Sequence, residues 1–256
     1  MPTTILSTVQ VEGLTLRVRT TPGPTGQGAA PRAPYVLVHG LGMTHRYLDR
    51  LREELSADAD VHAVDLPGFG ADPRPGTHLG VEDHAALLIE AIRGIGTGPC
   101  TLVGHSMGAQ FVTAAAVRSP EQVGHLVLIG PTADRRRRTI LQQALALGVD
   151  SLRESPSANW AVFSDYLLTG IPWYLRQLRA MMGYRLERAV GQVRRPVLVL
   201  RGGRDVIARA PWCRELAGRA PQGSFAEIDG QPPVVQHRAA AAVADAVVAF
   251  RSHPAA

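Results

Sequence analysis

Gly104-His105-Ser106-Met107-Gly108 lies between an apolar run at residues 100–103 and a helix-like stretch at residues 109–117. This is a G-x-S-x-G pentapeptide at the exit of an expected strand and the start of an expected helix. A strand that turns this sharply into a helix forces the central residue into a strained backbone conformation. Any side chain at Gly104 or Gly108 would collide with the neighbouring strand or helix, so glycine stands on both sides of the serine. The turn pushes the Ser106 hydroxyl out at the carboxyl end of a sheet, where ligands bind in open α/β folds. The pentapeptide thus demands a strand before it and a helix behind it, and the rest of the chain must supply the sheet.

It does so in order. Residues 5–10 and 14–20 alternate in polarity around Glu12-Gly13, the pattern of an antiparallel hairpin. Residues 21–34 are rich in Pro and Gly and read as a surface loop. From there the rhythm changes. Apolar runs at 35–38, 61–64, 100–103, 126–129 and 197–200 are buried strands, followed by a last strand at 225–228. Helical spacing fills the gaps: Leu48, Leu51 and Leu55; Val81, Ala85, Leu88 and Ile92; the stretch 211–219; and Ala240, Val243, Val247 and Phe250. Strands alternating with helices imply a parallel sheet covered by helices on both faces.

The alternation is interrupted once. Residues 1–131 and 196–256 form the expected core, and residues 132–195 the expected helical lid insertion. The insertion opens on four arginines, 135–138, read as a solvated helix face. It also holds six of the thirteen Phe, Trp and Tyr residues, among them Trp160, Phe163, Tyr166 and Trp173. The underside of such a lid is the roof of a pocket. These four side chains are therefore candidate substrate-binding groups.

Composition removes several function classes. The net charge of +5 is carried by arginine alone, with no lysine in 256 residues. That is the codon bias of a GC-rich, bacterial genome, and no nucleic-acid motif accompanies it. The amino terminus lacks the pattern of a signal peptide, and no segment approaches the roughly 20 apolar residues of a membrane span. The two cysteines, Cys100 and Cys213, are expected as reduced, buried thiols. A cytoplasmic protein is expected. Neither metal-ligand spacing nor a dinucleotide glycine pattern is present. The expected partner is a small-molecule substrate, with no cofactor, metal, nucleic acid or membrane.

Four separated motifs together resemble the α/β-hydrolase superfamily over nearly the whole chain. His39-Gly40-Leu41-Gly42 follows the first central strand, where that family places its oxyanion loop. Asp65-Leu66-Pro67-Gly68-Phe69-Gly70 is similar to its D-x-P-G-x-G turn. Residues 104–108 match its nucleophile elbow, and Gly202-Gly203-Arg204-Asp205 stands where it places its acid. The resemblance implies an α/β-hydrolase fold with a mostly parallel central sheet. It implies Ser106 as nucleophile, the backbone N–H groups of Leu41 and Met107 as oxyanion hole, and Asp205 as the acid that orients a histidine. On the same grounds His39 and His105 are structural, and Asp65 bonds the backbone of its own turn. His45 opens a helix beside the oxyanion loop and is a further candidate for the pocket. His62, His78, His84, His125 and His253 read as packing or surface residues.

One part of the pattern is missing. The family's catalytic histidine sits just past the last strand in a G-x-G-H turn, and counting from Gly230 that position holds Pro233. Proline has no side-chain donor or acceptor and no backbone N–H, so it takes no proton from Ser106. Two explanations stand open. In one, His237 has taken over as catalytic base from four residues downstream, a displacement on the order of 6 Å along a helix. In the other, the triad lacks its base. The first leads to a serine hydrolase acting on an ester, thioester or related carbonyl compound. The second leads to a lyase, cyclase or isomerase that polarises a carbonyl, or to a ligand-binding protein without turnover.

Overall fold

The computed structural model describes residues 4–24, 32–69, 74–96, 98–135 and 171–252. Its centre is an eight-stranded sheet: β1 (Ile5–Val11), β2 (Leu14–Thr21), β3 (Tyr35–Val38), β4 (Val61–Asp65), β5 (Cys100–His105), β6 (Val123–Ile129), β7 (Val197–Gly202) and β8 (Gly223–Ile228). The spatial order is β1-β2-β4-β3-β5-β6-β7-β8. β1 pairs with β2 and β2 with β4 in antiparallel fashion, and every later pair is parallel. This is the α/β-hydrolase architecture expected from the motifs.

Each part follows from local chemistry. The β1–β2 hairpin turns at Glu12 (φ 51°) and Gly13 (φ 77°), both in the left-handed region that a two-residue turn needs to match strand twist. The parallel strands are buried on both faces, which is why β3, β4, β5 and β7 lack polar alternation. One face packs against α2 (Val81–Ile95), α3 (Gly108–Arg118) and α6 (Ala210–Arg219). The other packs against α1 (Asp49–Leu55) and α8 (Ala240–Ser252), through Leu51, Leu55, Val243 and Val247.

The helix expected around Leu48 is split: a 3₁₀ turn at His45–Leu48 leads into α1. A four-residue helix, α7 (Val235–Arg238), precedes α8. Cys100 and Cys213 are buried and unpaired with each other.

Residues 136–170, with Trp160, Phe163 and Tyr166, lie outside the described residues. The described end of the interruption contains α4 (Ile171–Gly183) and the short α5 (Leu186–Ala189). Trp173, Leu178 and Met181 of α4 join the core shared with α2 and α3. Among the described residues no helix is long and apolar enough to cross a membrane.

Backbone approach at the end of β7 fixes the turn after β8. A Cβ on Gly202 would lie 2.4 Å from both the Gln231 and Pro232 carbonyl oxygens. Gly202→Ala is expected to cost about 1–3 kcal/mol through this overpacking. Gly218, inside α6 with nothing within 4 Å of its Cβ position, is the control. Gly218→Ala should stabilise by about 0.5–1 kcal/mol through helix propensity. Denaturant midpoints of the two variants, moving in opposite directions, check both.

Candidate active site

The elbow is set by space. A Cβ on Gly104 would lie 2.4 Å from the Gly108 carbonyl oxygen, and one on Gly108 would lie 2.4 Å from the Val38 carbonyl oxygen. β5, α3 and the end of β3 therefore approach backbone to backbone, and Ser106 is held between them at φ 57°. Non-glycine residues take that conformation rarely and at a cost. Its N–H donates to the Ile129 carbonyl at 2.9 Å, which ties the elbow to the end of β6. The Ser106 residue is half-buried.

Gly40 comes alongside the serine. A Cβ there would meet Ser106 Cβ at 3.0 Å and Oγ at 3.4 Å. Among the described residues, no backbone carbonyl accepts a hydrogen bond from the N–H of Leu41 or of Met107. His39 holds this loop from below: Nδ1–H donates to the Gly40 carbonyl at 2.9 Å, and Nε2 accepts from the Leu66 N–H at 3.2 Å.

His45 and Asp65 form a pair at the same edge. Asp65 Oδ1 accepts from the His45 N–H at 2.6 Å, and Oδ2 accepts from His45 Nδ1 at 2.8 Å and from Arg19 at 2.7 Å. Burial pushes the Asp65 carboxyl up, but the His45 hydrogen bonds and the nearby His39 and His45 rings outweigh it and hold the group below its ordinary value. Asp65 thus bonds its own turn less than the preceding loop. It clamps the start of the 3₁₀ turn to β4.

Asp205 follows β7. Its Oδ1 accepts two N–H groups, from Ile207 at 2.8 Å and Ala208 at 2.7 Å. Burial raises its pKa, and these bonds with the charge of Arg201 oppose the rise without cancelling it. Arg201, only 4% exposed, was not singled out by sequence reasoning. It donates to the carbonyls of Ala208 (2.8 Å), Asp205 (2.7 Å) and Gly203 (3.3 Å) and pairs with Glu227. An arginine closing a strand of buried apolar residues was the available signal, since a buried charge needs partners.

The turn after β8 passes through Gly230 (φ 69°) to Pro233, which is buried. The Pro233 carbonyl accepts a hydrogen bond from the fully buried His105 ring. Nδ1 of that ring has no partner, so Nε2 is the donor. Around the Cβ position of Gly130 lie Asp205 Oδ2 at 3.5 Å, the Pro233 oxygen at 3.7 Å and His105 Nε2 at 3.9 Å. These groups sit beside the elbow, because Gly130 follows the residue that Ser106 N–H bonds.

His237 makes its ring contact with Tyr47, which also lies 6.0 Å, centroid to centroid, from the His105 ring. The His237 ring stacks on Tyr47 with centroids 5.7 Å apart and planes 13° from parallel. Arg50 donates to its carbonyl at 3.2 Å. Burial, with the charges of Arg50 and Arg238, lowers its pKa. Among the described residues it makes no hydrogen bond to Ser106 or Asp205. The structure thus brings Ser106, Leu41 and Met107 together, ties Asp205 to the same edge, and sets His237 on Tyr47. Trp173, 2% exposed, packs on Gly68: a Cβ on that glycine (φ 83°) would lie 2.5 Å from the indole. Among the described residues no group of acidic, histidine and cysteine side chains is arranged to hold a metal ion.

This fold and elbow define a class, and comparison with known proteins gives the same one. The model of the alpha/beta hydrolase family matches residues 35–246, and the chain belongs to that family. Among curated relatives, (E)-2-((N-methylformamido)methylene)succinate hydrolase of Acinetobacter baylyi is 27% identical over 236 residues, 85% of this chain and 89% of the relative. The 2-hydroxy-6-oxo-2,4-heptadienoate hydrolase of Pseudomonas putida is 40% identical over 101 residues, which span 38% of this chain and 37% of that one. The enol-lactonase of Burkholderia xenovorans superposes with a TM-score of 0.80 at 21% identity, covering 96% of this chain and all of the other. That likeness establishes the fold.

His84 and His105 are both pushed down to about 4 by burial from an ordinary 6.5. A depressed folded-state pKa means the unfolded chain binds the proton first as pH falls. The stability these neutral rings contribute is complete above pH 6.5 and is lost as pH falls from 6.5 towards 4. Unfolding free energy should therefore drop through that window. His84→Gln should flatten the slope by about one proton, roughly 1.4 kcal/mol per pH unit. Denaturant titrations at stepped pH check it.

Proposed function

We propose that this chain is a serine hydrolase that cleaves an ester, thioester or related carbonyl compound through Ser106. The observation that carries the reading is the elbow: a serine held at φ 57° beside Gly40 and two N–H groups without a carbonyl acceptor among the described residues. In this reading Oγ attacks the carbonyl carbon, and the Leu41 and Met107 N–H groups stabilise the oxyanion. Asp205 is the acid partner. Residues 132–195 are the inserted segment between core residues 1–131 and 196–256, its described end carrying Trp173 against Gly68, with His45 at the rim of the oxyanion loop. The hydrolases among the relatives, including one that acts on a substituted methylenesuccinate, support a small carbonyl substrate.

A second reading has its own observation. Pro233 occupies the histidine position, and its carbonyl is held by His105. A site with a nucleophile and an oxyanion hole but no base polarises a carbonyl without forming an acyl-enzyme. Lyase, cyclase or isomerase chemistry follows from that.

Hydrolysis of an aryl ester separates the two. Ser106→Ala is expected to fall to the enzyme-free rate, and equal rates for wild type and variant would end the hydrolase reading. His237→Ala should keep kcat within a few-fold, because the ring is engaged with Tyr47. A collapse of kcat would instead restore His237 as the base. Pro233→His is expected to raise turnover of simple esters on the order of 10-fold or more, given that a missing base costs up to ~10⁶ in kcat.

A further inference from the structure

Positive charge gathers in a cleft that the elbow does not use. The cleft has a volume of ≈ 370 Å³ and is lined by Arg135, Arg185, Glu187, Arg188 and Arg219. Its arginines come from three parts of the chain. Arg135 stands near one end of the 132–195 segment, Arg185 and Arg188 near the other end at α5, and Arg219 closes α6. None of these residues belongs to the elbow or to the loop that carries Asp205.

Like charges brought this close repel one another, so their arrangement needs a brace. Glu215 supplies part of it. Its Oε1 takes Arg135 Nε at 2.7 Å and Arg219 Nε at 3.0 Å, and its side chain is mostly buried. Both arginines therefore grip through Nε. Their Nη nitrogens have no hydrogen bond or ion pair among the described residues. Arg185 reaches Glu187 only at 4.0 Å, and the Arg188 side chain has no partner among the described residues. The residues lining the cleft thus hold a store of unused charged donors.

A guanidinium stays charged throughout the working pH range and presents its donors in a planar fork that matches phosphate oxygens. Four guanidinium groups against Glu187 and Glu215 leave two positive charges in excess. The complement is an anion with two charges and several acceptor oxygens. A phosphate monoester has both. A carboxylate brings one charge and two oxygens, and a metal cation is repelled. The volume falls in the range of roughly 300–1,000 Å³ that takes small molecules. A second hollow of ≈ 340 Å³ shares Arg185 and Arg188 and continues over Ala114, Val117 and Tyr184, which gives space for an organic body beside the phosphate.

We propose that this cleft binds the dianionic phosphate group of a small phosphate monoester. Because Glu215 already holds Arg135 and Arg219 in place, less side-chain freedom is lost on binding. The bound phosphate joins both ends of the 132–195 segment to α6 of the core. The site stands whichever chemistry Ser106 performs.

Isothermal titration calorimetry with phenyl phosphate and phenyl sulfate tests the proposal. The two have nearly the same shape. At about pH 8 the phosphate carries two charges, since its second pKa is near 6, and the sulfate carries one. At fixed ionic strength phenyl phosphate should bind at least ~10-fold more tightly, as expected for an added charged hydrogen-bonding interaction. Arg188→Ala, an exposed position, should weaken phenyl phosphate by roughly 10-fold. Arg219→Ala, shown to be folded by circular dichroism, should do the same. Arg93→Ala removes the same charge from α2, where Arg93 pairs with Glu90, and should leave binding unchanged. Inorganic phosphate should bind more weakly than phenyl phosphate, and equal affinity would overturn the monoester in favour of the free ion. Equal binding of phenyl phosphate and phenyl sulfate, or full binding retained in Arg188→Ala and Arg219→Ala, would overturn the site itself. So would the absence of any heat of binding with either ligand.

Discussion

Backbone contact at the elbow is the constraint on which the rest of the site depends. Gly104 and Gly108 bring β5 and α3 against each other and against the end of β3, with carbonyl oxygens where side chains would otherwise stand. That contact leaves Ser106 in the left-handed region, a strain on the order of 1–3 kcal/mol. The strain is offset locally by the Ser106 N–H bond to Ile129 and by burial of Val103, Met107 and Phe111 around the turn. The same closeness sets Gly40 beside the serine. One packing requirement thus positions both the hydroxyl and the loop that carries Leu41.

The loop that carries Asp205 is built by a different device. Arg201 reaches in from the end of β7 and takes three of its carbonyls. Gly202 lets the turn after β8 lie directly on the end of β7. These two contacts fix Asp205 relative to Pro233. Nearby, the Trp212 indole N–H donates to the Pro131 carbonyl at 3.0 Å, and Arg135 pairs with Glu215 at 2.7 Å. The chain is therefore anchored to α6 as it leaves the core towards the 132–195 segment. At least one of the four consecutive arginines is an anchor, where the sequence pattern alone reads as a solvated face.

The sheet was legible in the sequence because parallel strands buried on both faces leave unbroken apolar runs, and glycine marks each place where backbones touch. The tight turns at residues 104–108 and 202–205 were legible for the same reason. Long-range side-chain pairings were not. Nothing in the spacing of His45 and Asp65 announces that one carboxylate holds both the ring and the backbone N–H of a residue 20 positions away. The position of His237 was equally hidden: counting residues gives a distance along a helix, and only the packing of α7 against the 45–48 turn sets the ring on Tyr47. Arg201 escaped notice because its partners are backbone carbonyls, which sequence does not distinguish.

Pro233 is the most informative departure from the expected motif, because the turn around it is closely held. Gly230 takes a positive φ, the Gln231 carbonyl accepts from the Arg204 N–H, and the His105 ring reaches the carbonyl at position 233. A proline fixes φ near −65° and so suits a turn whose backbone geometry matters more than its side chain. Proline supplies no side-chain donor there, and Asp205 Oδ2 accepts no hydrogen bond among the described residues. The loop that carries Asp205 is braced by Arg201. A serine held at φ 57° stores strain of the kind that clusters at functional sites, and that strain is the argument for chemistry at Ser106.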